Sequence, residues 1–489
     1  MSQVAPTYRP LLQTLPAIVL LGLCLSVQTT FPQSALESKY AGKISQWRLL
    51  STVRDLAKIG ARMGGTKSGD RAATYVAKKF KEAGLTVEVM EDPERLTFTN
   101  KKWSVRIDEP KSLRKLIRNE WLGGFSPSVP PSRASLTTLG DESELEEEEL
   151  RGKAVLLNWS ISTRLYQKLA DAGAVAILAI SPKLPNAYSD WALIGDLKTS
   201  DDNPLPLFNL SYNNGIRLKQ ALADSVPVVV SFSTQTVIAQ GRPKTVVATL
   251  EGADKAYFIV CAHGDSDSGG PGADDNASGV SGILELARAM NGMVNSKIVA
   301  KPKKSIRFIV WGSEIYSTQQ YIKRHENELP LILGVLNFDE IGTGAERNCL
   351  YFESNDVEHN EKLLRVLQRV GEDYVGMRGF WAEATTNPSQ GGTDSYVFLP
   401  HGLRQLNVPV VKIPSVTIFT GAWNELKTIG QTEGWTSKAW KGHPDSVVID
   451  YSHYYHSSLD IPELTTEKEP FNMVWAAKAV GIALLRLAW

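Results

Sequence analysis

From Lys244 onward the chain is written in long, apolar, β-branched runs that alternate with helical patterns. This alternation constrains the fold more than any other feature. The runs are Val246 to Leu250, Ala256 to Ala262, Ile306 to Trp311, Leu331 to Phe338 and Val416 to Phe419. Gly279 to Met290 and Phe471 to Leu485 carry their apolar residues at helical spacing. A strand that is apolar on both faces must be covered on both faces. The pattern therefore predicts an α/β domain with a mostly parallel central sheet flanked by helices. A helix expected from about Asp70 to Ala83, stopped by Gly84, and an alternating strand from Thr86 to Met90, broken by Asp92-Pro93, suit the same architecture.

Between about residues 111 and 238 the texture changes. A Pro/Ser stretch runs from Ser126 to Ser132, and an acidic run from Glu142 to Glu149 reads as a solvated face. Leu165 to Ala172 has helical spacing and feeds the apolar strand Gly173 to Ile180. This segment is expected to be a smaller inserted domain, leaving 37–110 and 239–489 as a discontinuous main domain. Residues 1–36 are read apart: Arg9, the apolar run Pro16 to Val27 and the small residues Ser34 and Ala35 resemble a signal peptide. An uncleaved N-terminal anchor is the alternative, and export follows from either. A membrane would then be met only through this segment.

Charge narrows the partners. Fifty-three Lys+Arg balance fifty-three Asp+Glu, which gives no basic field for nucleic acid. Cys261 and Cys349 lie in apolar strand-like stretches, where a buried thiol is the ordinary occupant; a bridge between them is the alternative.

In open α/β sheets, sites form just past the carboxyl ends of strands. Four such ends carry chemistry: His263-Gly-Asp265 with Gly272-Ala-Asp274-Asp275-Asn276-Ala-Ser-Gly279, Gly312-Ser-Glu314, Asp339-Glu340, and His456 with Asp460 near the C-terminus. Imidazoles and carboxylates together suit a hydrolytic zinc site, with a further carboxylate to take a proton from water.

These motifs, in this order, resemble metallopeptidase family twenty-eight, the co-catalytic zinc exopeptidases that include bacterial leucyl aminopeptidases and plasma glutamate carboxypeptidase. Residues 111–238 resemble the protease-associated domain that several members insert. The resemblance implies two zinc ions, with His263 and Asp339 binding one, His456 the other and Asp274 bridging both. It makes Asp265 the carboxylate that orients His263, and Glu314 the general base. The resemblance implies hydrolysis of a terminal peptide bond in a peptide or peptide-like substrate, in the manner of an aminopeptidase.

One position departs from the family. Where members carry a second Glu as metal ligand, this chain has Ile315, and the following turn is about three residues shorter. Three readings stay open: a two-metal peptidase in which Glu340, His453 or Glu314 completes the second site, a single-metal hydrolase, and an inactive relative that binds a peptide or a protein partner.

Overall fold

The computed structural model describes residues 35–139, 150–158, 161–183, 189–266, 268–344, 348–354, 357–387, 392–420, 423–428, 446–449 and 453–489. The N-terminal segment through residue 34 and the acidic run 142–149 lie outside the described residues.

Two sheets organise the chain. The first begins with β1 (Thr86–Glu91). The second is built from β2 (Arg95–Glu109), β3 (Trp121–Leu122), β4 (Val129–Thr138), β5 (Ala154–Asn158), β6 (Ala176–Ile180), β7 (Leu207–Leu210) and β8 (Val229–Gly241). The chain then returns to the first sheet with β9 (Lys244–Leu250), β10 (Asp254–His263), β11 (Lys304–Trp311), β12 (Ile332–Phe338), β13 (Leu350–Glu353), β14 (Ala384–Asn387) and β15 (Ser415–Phe419). The first sheet is ordered β1-β9-β11-β10-β12-β15-β13-β14. Its centre is parallel, with β10 paired to β11 and β12, and β12 to β15. β9 pairs antiparallel with β1 and β11, and β13 antiparallel with β15.

The continuous apolar runs are explained by burial on both faces. Phe258, Val260 and Ala262 of β10 join the larger core, while Tyr257, Ile259 and Cys261 join a smaller one on the opposite face with Trp311, Tyr321 and Phe398. The helices α1 (Ala35–Ala41), α2 (Gln46–Ala57) and α3 (Lys67–Glu82) precede the strands. Thr66 caps α3, its hydroxyl accepting the Gly69 N–H at 3.1 Å. The second unit carries α4 (Thr163–Asp171) and α5 (Tyr212–Ala223). The rest are α6 (Gly279–Asn295), α7 (Tyr316–Arg324), α8 (Val357–Tyr374), α9 (Asp394–Val397), α10 (Pro400–Gln405) and α11 (Phe471–Ala488). By length and composition α11 is apolar enough to cross a membrane, but two thirds of it is buried against the domain, as in a core helix.

The second sheet, ordered β2-β8-β4-β5-β6-β7-β3, has its own core around Leu156, Ile177, Phe208 and Phe232. It begins earlier than the sequence suggested. Residues 95–109, expected in the main domain, form β2, which pairs along its length with β8. The alternating exposure of β2 hid this, because a half-exposed strand fits either unit. The crossings between units lie side by side: Glu91 pairs with Lys244, and the Asp92 N–H donates to Pro243 O at 2.9 Å. Cys261 and Cys349 are buried free thiols.

Candidate active site

The carboxyl ends of three adjacent strands place the first group. His263 is the last residue of β10 and 4% exposed. Glu314 lies three residues past β11, and Asp339 directly follows β12. One ligand atom from each of these three falls within 4.8 Å of the others. His263 Nδ1 lies 3.2 Å from Asp265 Oδ1, which also accepts the Glu314 N–H at 3.0 Å. The Asp265 carboxylate thus fixes both the imidazole and the loop that carries Glu314.

The structure corrects the bridging assignment by one residue. The carboxylate between the two histidines is that of Asp275, not Asp274. Asp275 Oδ1 lies 3.2 Å from His263 Nε2, and Oδ2 lies 2.9 Å from His456 Nε2. Asp274 instead turns inward, its Oδ1 accepting the Gly342 N–H at 2.7 Å. Residues 273–278 form an irregular turn in which Asp275 and Asn276 leave helical geometry, so neighbouring side chains point in unrelated directions.

Asp460, four residues after His456, is placed to orient that ring or to cap the turn before Pro462. Instead its two oxygens accept the N–H groups of Asp274 and Asp275 at 2.7 and 3.0 Å. Arg62, which the sequence did not single out, is 1% exposed and clamps the same loop. Its guanidinium donates to Gly264 O, Pro271 O and Gly272 O at 3.2, 2.6 and 2.7 Å. Gly272 has φ +56°, and a Cβ there would sit 2.4 Å from Asp275 O, so glycine is required. An Arg expected to be mostly exposed is therefore spent on holding the loop.

Thr393 and Asp394 also reach the site. The Thr393 hydroxyl donates to Asp339 Oδ2 at 2.5 Å. Asp394 Oδ1 accepts from the Ile315 N–H at 2.8 Å and the Thr318 hydroxyl at 2.5 Å. This holds Ile315 at φ +55°, a strained conformation for a β-branched residue. His456 lies on a turn outside the sheet, its ring stacked on Tyr455.

The electrostatics are those of a site short of positive charge. Burial pushes the carboxyls of Glu314, Asp274 and Glu340 well above the usual range. For Glu340 the nearby Asp275, Asp274 and Asp339 add to the effect. Burial opposes protonation of His263, yet Glu314, Asp339, Asp265 and Asp275 together raise it well above its ordinary value. Burial would also raise Asp275, but the two imidazoles depress it. Asp274 Oδ2 and Asp339 Oδ1 are buried without a hydrogen-bond partner. Converging carboxylates, two imidazoles and orphaned oxygens fit a divalent cation.

Comparison with known proteins agrees. Residues 245–477 match Peptidase family M28. The chain is 24% identical over 453 residues to the probable lipoprotein aminopeptidase LpqL of Mycobacterium tuberculosis, covering 88% of this chain and 83% of that one. It is 26% identical over 377 residues to aminopeptidase YwaD of Bacillus subtilis, covering 71% of each. Among solved structures, an aminopeptidase from Aneurinibacillus sp. strain AM-1 superimposes with a TM-score of 0.59 at 20% identity, over 92% of this chain and 96% of that one. A Peptidase M28 precursor from Shewanella amazonensis gives 0.62 at 17% identity, over 92% and 95%. These neighbours bear out the α/β fold. The segment that matches peptidase family M28 carries His263, Asp275, Glu314, Asp339 and His456, and the chain is a hydrolase similar to the aminopeptidases of that family.

Proposed function

We propose that this chain is an exported, zinc-dependent exopeptidase that removes residues from the amino terminus of peptides. The observation that carries the reading is the Asp275 carboxylate set between His263 and His456, with Asp339 and Glu314 beside it. His263 Nε2, Asp275, Asp339 and His456 Nε2 would hold the metal. When bound, zinc supplies a Lewis acid that polarises the scissile carbonyl and makes water easier to deprotonate. Glu314 takes the proton from the attacking water and passes it to the leaving amine. Burial raises its carboxyl well above the usual carboxylate range, which makes it a stronger base. Asp265 keeps the His263 ring in register through Nδ1, and Thr393 does the same for Asp339. Export is supported by the apolar run Pro16 to Val27 and by the lipoprotein name of one relative. Residues 111–238, within the second unit, are read as a protease-associated module.

The test is zinc content per chain, measured together with hydrolysis of aminoacyl and N-blocked peptide substrates. Zinc with cleavage of unblocked substrates only is expected. A folded chain holding less than one zinc and cleaving nothing would overturn the reading in favour of a binding protein, the outcome Ile315 keeps open.

A further inference from the structure

We propose that Asp196 and Asn209, both from the second unit, form a recognition site for an alkylammonium group of the substrate, beside the His456 side of the active site. The inference rests on the aminopeptidase reading and deepens it.

The segment carrying Asp196 is stitched to the turn carrying His456. The Ile194 N–H donates to His456 O at 2.7 Å, and Leu193 forms an isolated bridge with Ser457. The Asp196 carboxylate is then fixed between the units. Its Oδ1 accepts the Gly124 N–H at 3.0 Å, and its Oδ2 accepts the hydroxyl of Ser268, in the loop that follows His263, at 2.5 Å. A Cβ on residue 124 would lie 2.2 Å from Asp196 Oδ1, so glycine permits this approach. Both donors are neutral. Among the described residues no Lys or Arg forms an ion pair with Asp196.

Asp196 lines a cavity of about 280 Å³ together with Asn209 and the apolar side chains of Ile161, Leu197 and Leu207; Tyr166 and Lys198 also border it. Asn209 is fully buried. Its Nδ2 donates to Gly195 O at 3.0 Å, whereas its Oδ1 has no partner. A carboxylate whose hydrogen bonds come only from neutral donors and a buried acceptor without a donor therefore line one cavity, linked through Gly195, with Lys198 at its border. Unmade hydrogen bonds of this kind are costly. An ammonium carries three N–H donors and a full charge, so it satisfies both, and the apolar wall suits its alkyl carbons. Two sources share this chemistry: the free amino terminus of a peptide and the side chain of a lysine.

The experiment uses the zinc-loaded full chain and the isosteric variant Asp196→Asn. Binding of n-butylamine is measured by calorimetry, and KM and kcat are measured on leucyl- and lysyl-4-nitroanilide. Asp196→Asn should weaken n-butylamine about 10-fold, as loss of a charged hydrogen bond does. It should raise KM by a similar factor with kcat within about 2-fold, the pattern of uniform binding. A rise in KM for both substrates assigns the amino terminus; a rise for the lysyl substrate alone assigns the side chain. Ser268→Ala, which only loosens the carboxylate, should act in the same direction by about 3-fold. If n-butylamine binds folded Asp196→Asn within about 2-fold of the parent, the proposal is overturned. If binding depends on Asp196 but no anilide is cleaved, the ammonium site stands and the aminopeptidase reading falls.

Discussion

The two histidine sides of the site are built differently. His263 ends a strand whose neighbours on both sides deliver Glu314 and Asp339, and the sheet is buried on both faces beneath it. His456 lies on a turn with its backbone at φ +44° and its side chain 35% exposed. The position after Glu314, which could have offered it a carboxylate, is Ile315. Rigid strand ends hold ligands in place before a metal arrives; a turn must be ordered by it. The contrast teaches that one carboxylate, Asp275, can lie between two imidazoles held with unequal rigidity.

The sharpest way to break this comparison is to remove the shared group. Asp275→Asn should abolish zinc binding on both sides and lower kcat by at least about 10³-fold, whereas Asp274→Asn, which keeps an acceptor for Gly342, should cost far less. Equal losses in zinc content and rate from the two variants would refute the Asp275 assignment. Next in size, Glu314→Gln should lower kcat by about 10²- to 10⁴-fold, the range of a lost general base, with zinc content unchanged.

A smaller effect separates the two sides directly. In a chelator titration followed by elemental analysis, the zinc nearer His456 should leave at about 10- to 100-fold lower chelator concentration than the other. His456→Ala should remove only that ion. Simultaneous release of both ions would show that the sides are not unequal.

The last prediction is a control remote from the site. Glu285 on α6 is bound by Arg48 and Arg288 at 2.9 and 2.8 Å. Burial alone would raise its carboxyl, but these partners more than offset that and hold it below its ordinary value. A folded-state pKa below the unfolded one stabilises above about pH 4.3 and fades as pH falls through the folded value. Glu285→Gln should therefore cost about 2 kcal/mol in urea unfolding at pH 7, less in acid, and leave zinc content unchanged.

Much of this was legible in the sequence because periodicity carries it. Strands apolar on both faces announced the parallel centre, and the rule that sites follow strand ends found His263, Glu314 and Asp339. Loops carry no such period. Choosing between Asp274 and Asp275 required knowing that the Gly342 N–H would take the Asp274 carboxylate and that His456 would meet Asp275, both contacts between residues distant in sequence. Arg62 was hidden for the same reason, since nothing local marks an Arg destined for burial. The two units were separable by texture, but their border was not, because β2 alternates like any half-exposed strand.

The pairing of Glu91 with Lys244 has a consequence for how such a chain can change. Seen from the first sheet, everything from Asp92 to Pro243 is the loop of a single β-hairpin. The entropy of closing a loop grows only logarithmically with its length, so an insertion there can be enlarged, exchanged or deleted without rethreading a strand. Descent could therefore alter the part of the cleft that meets the substrate while leaving the hydrolytic machinery alone.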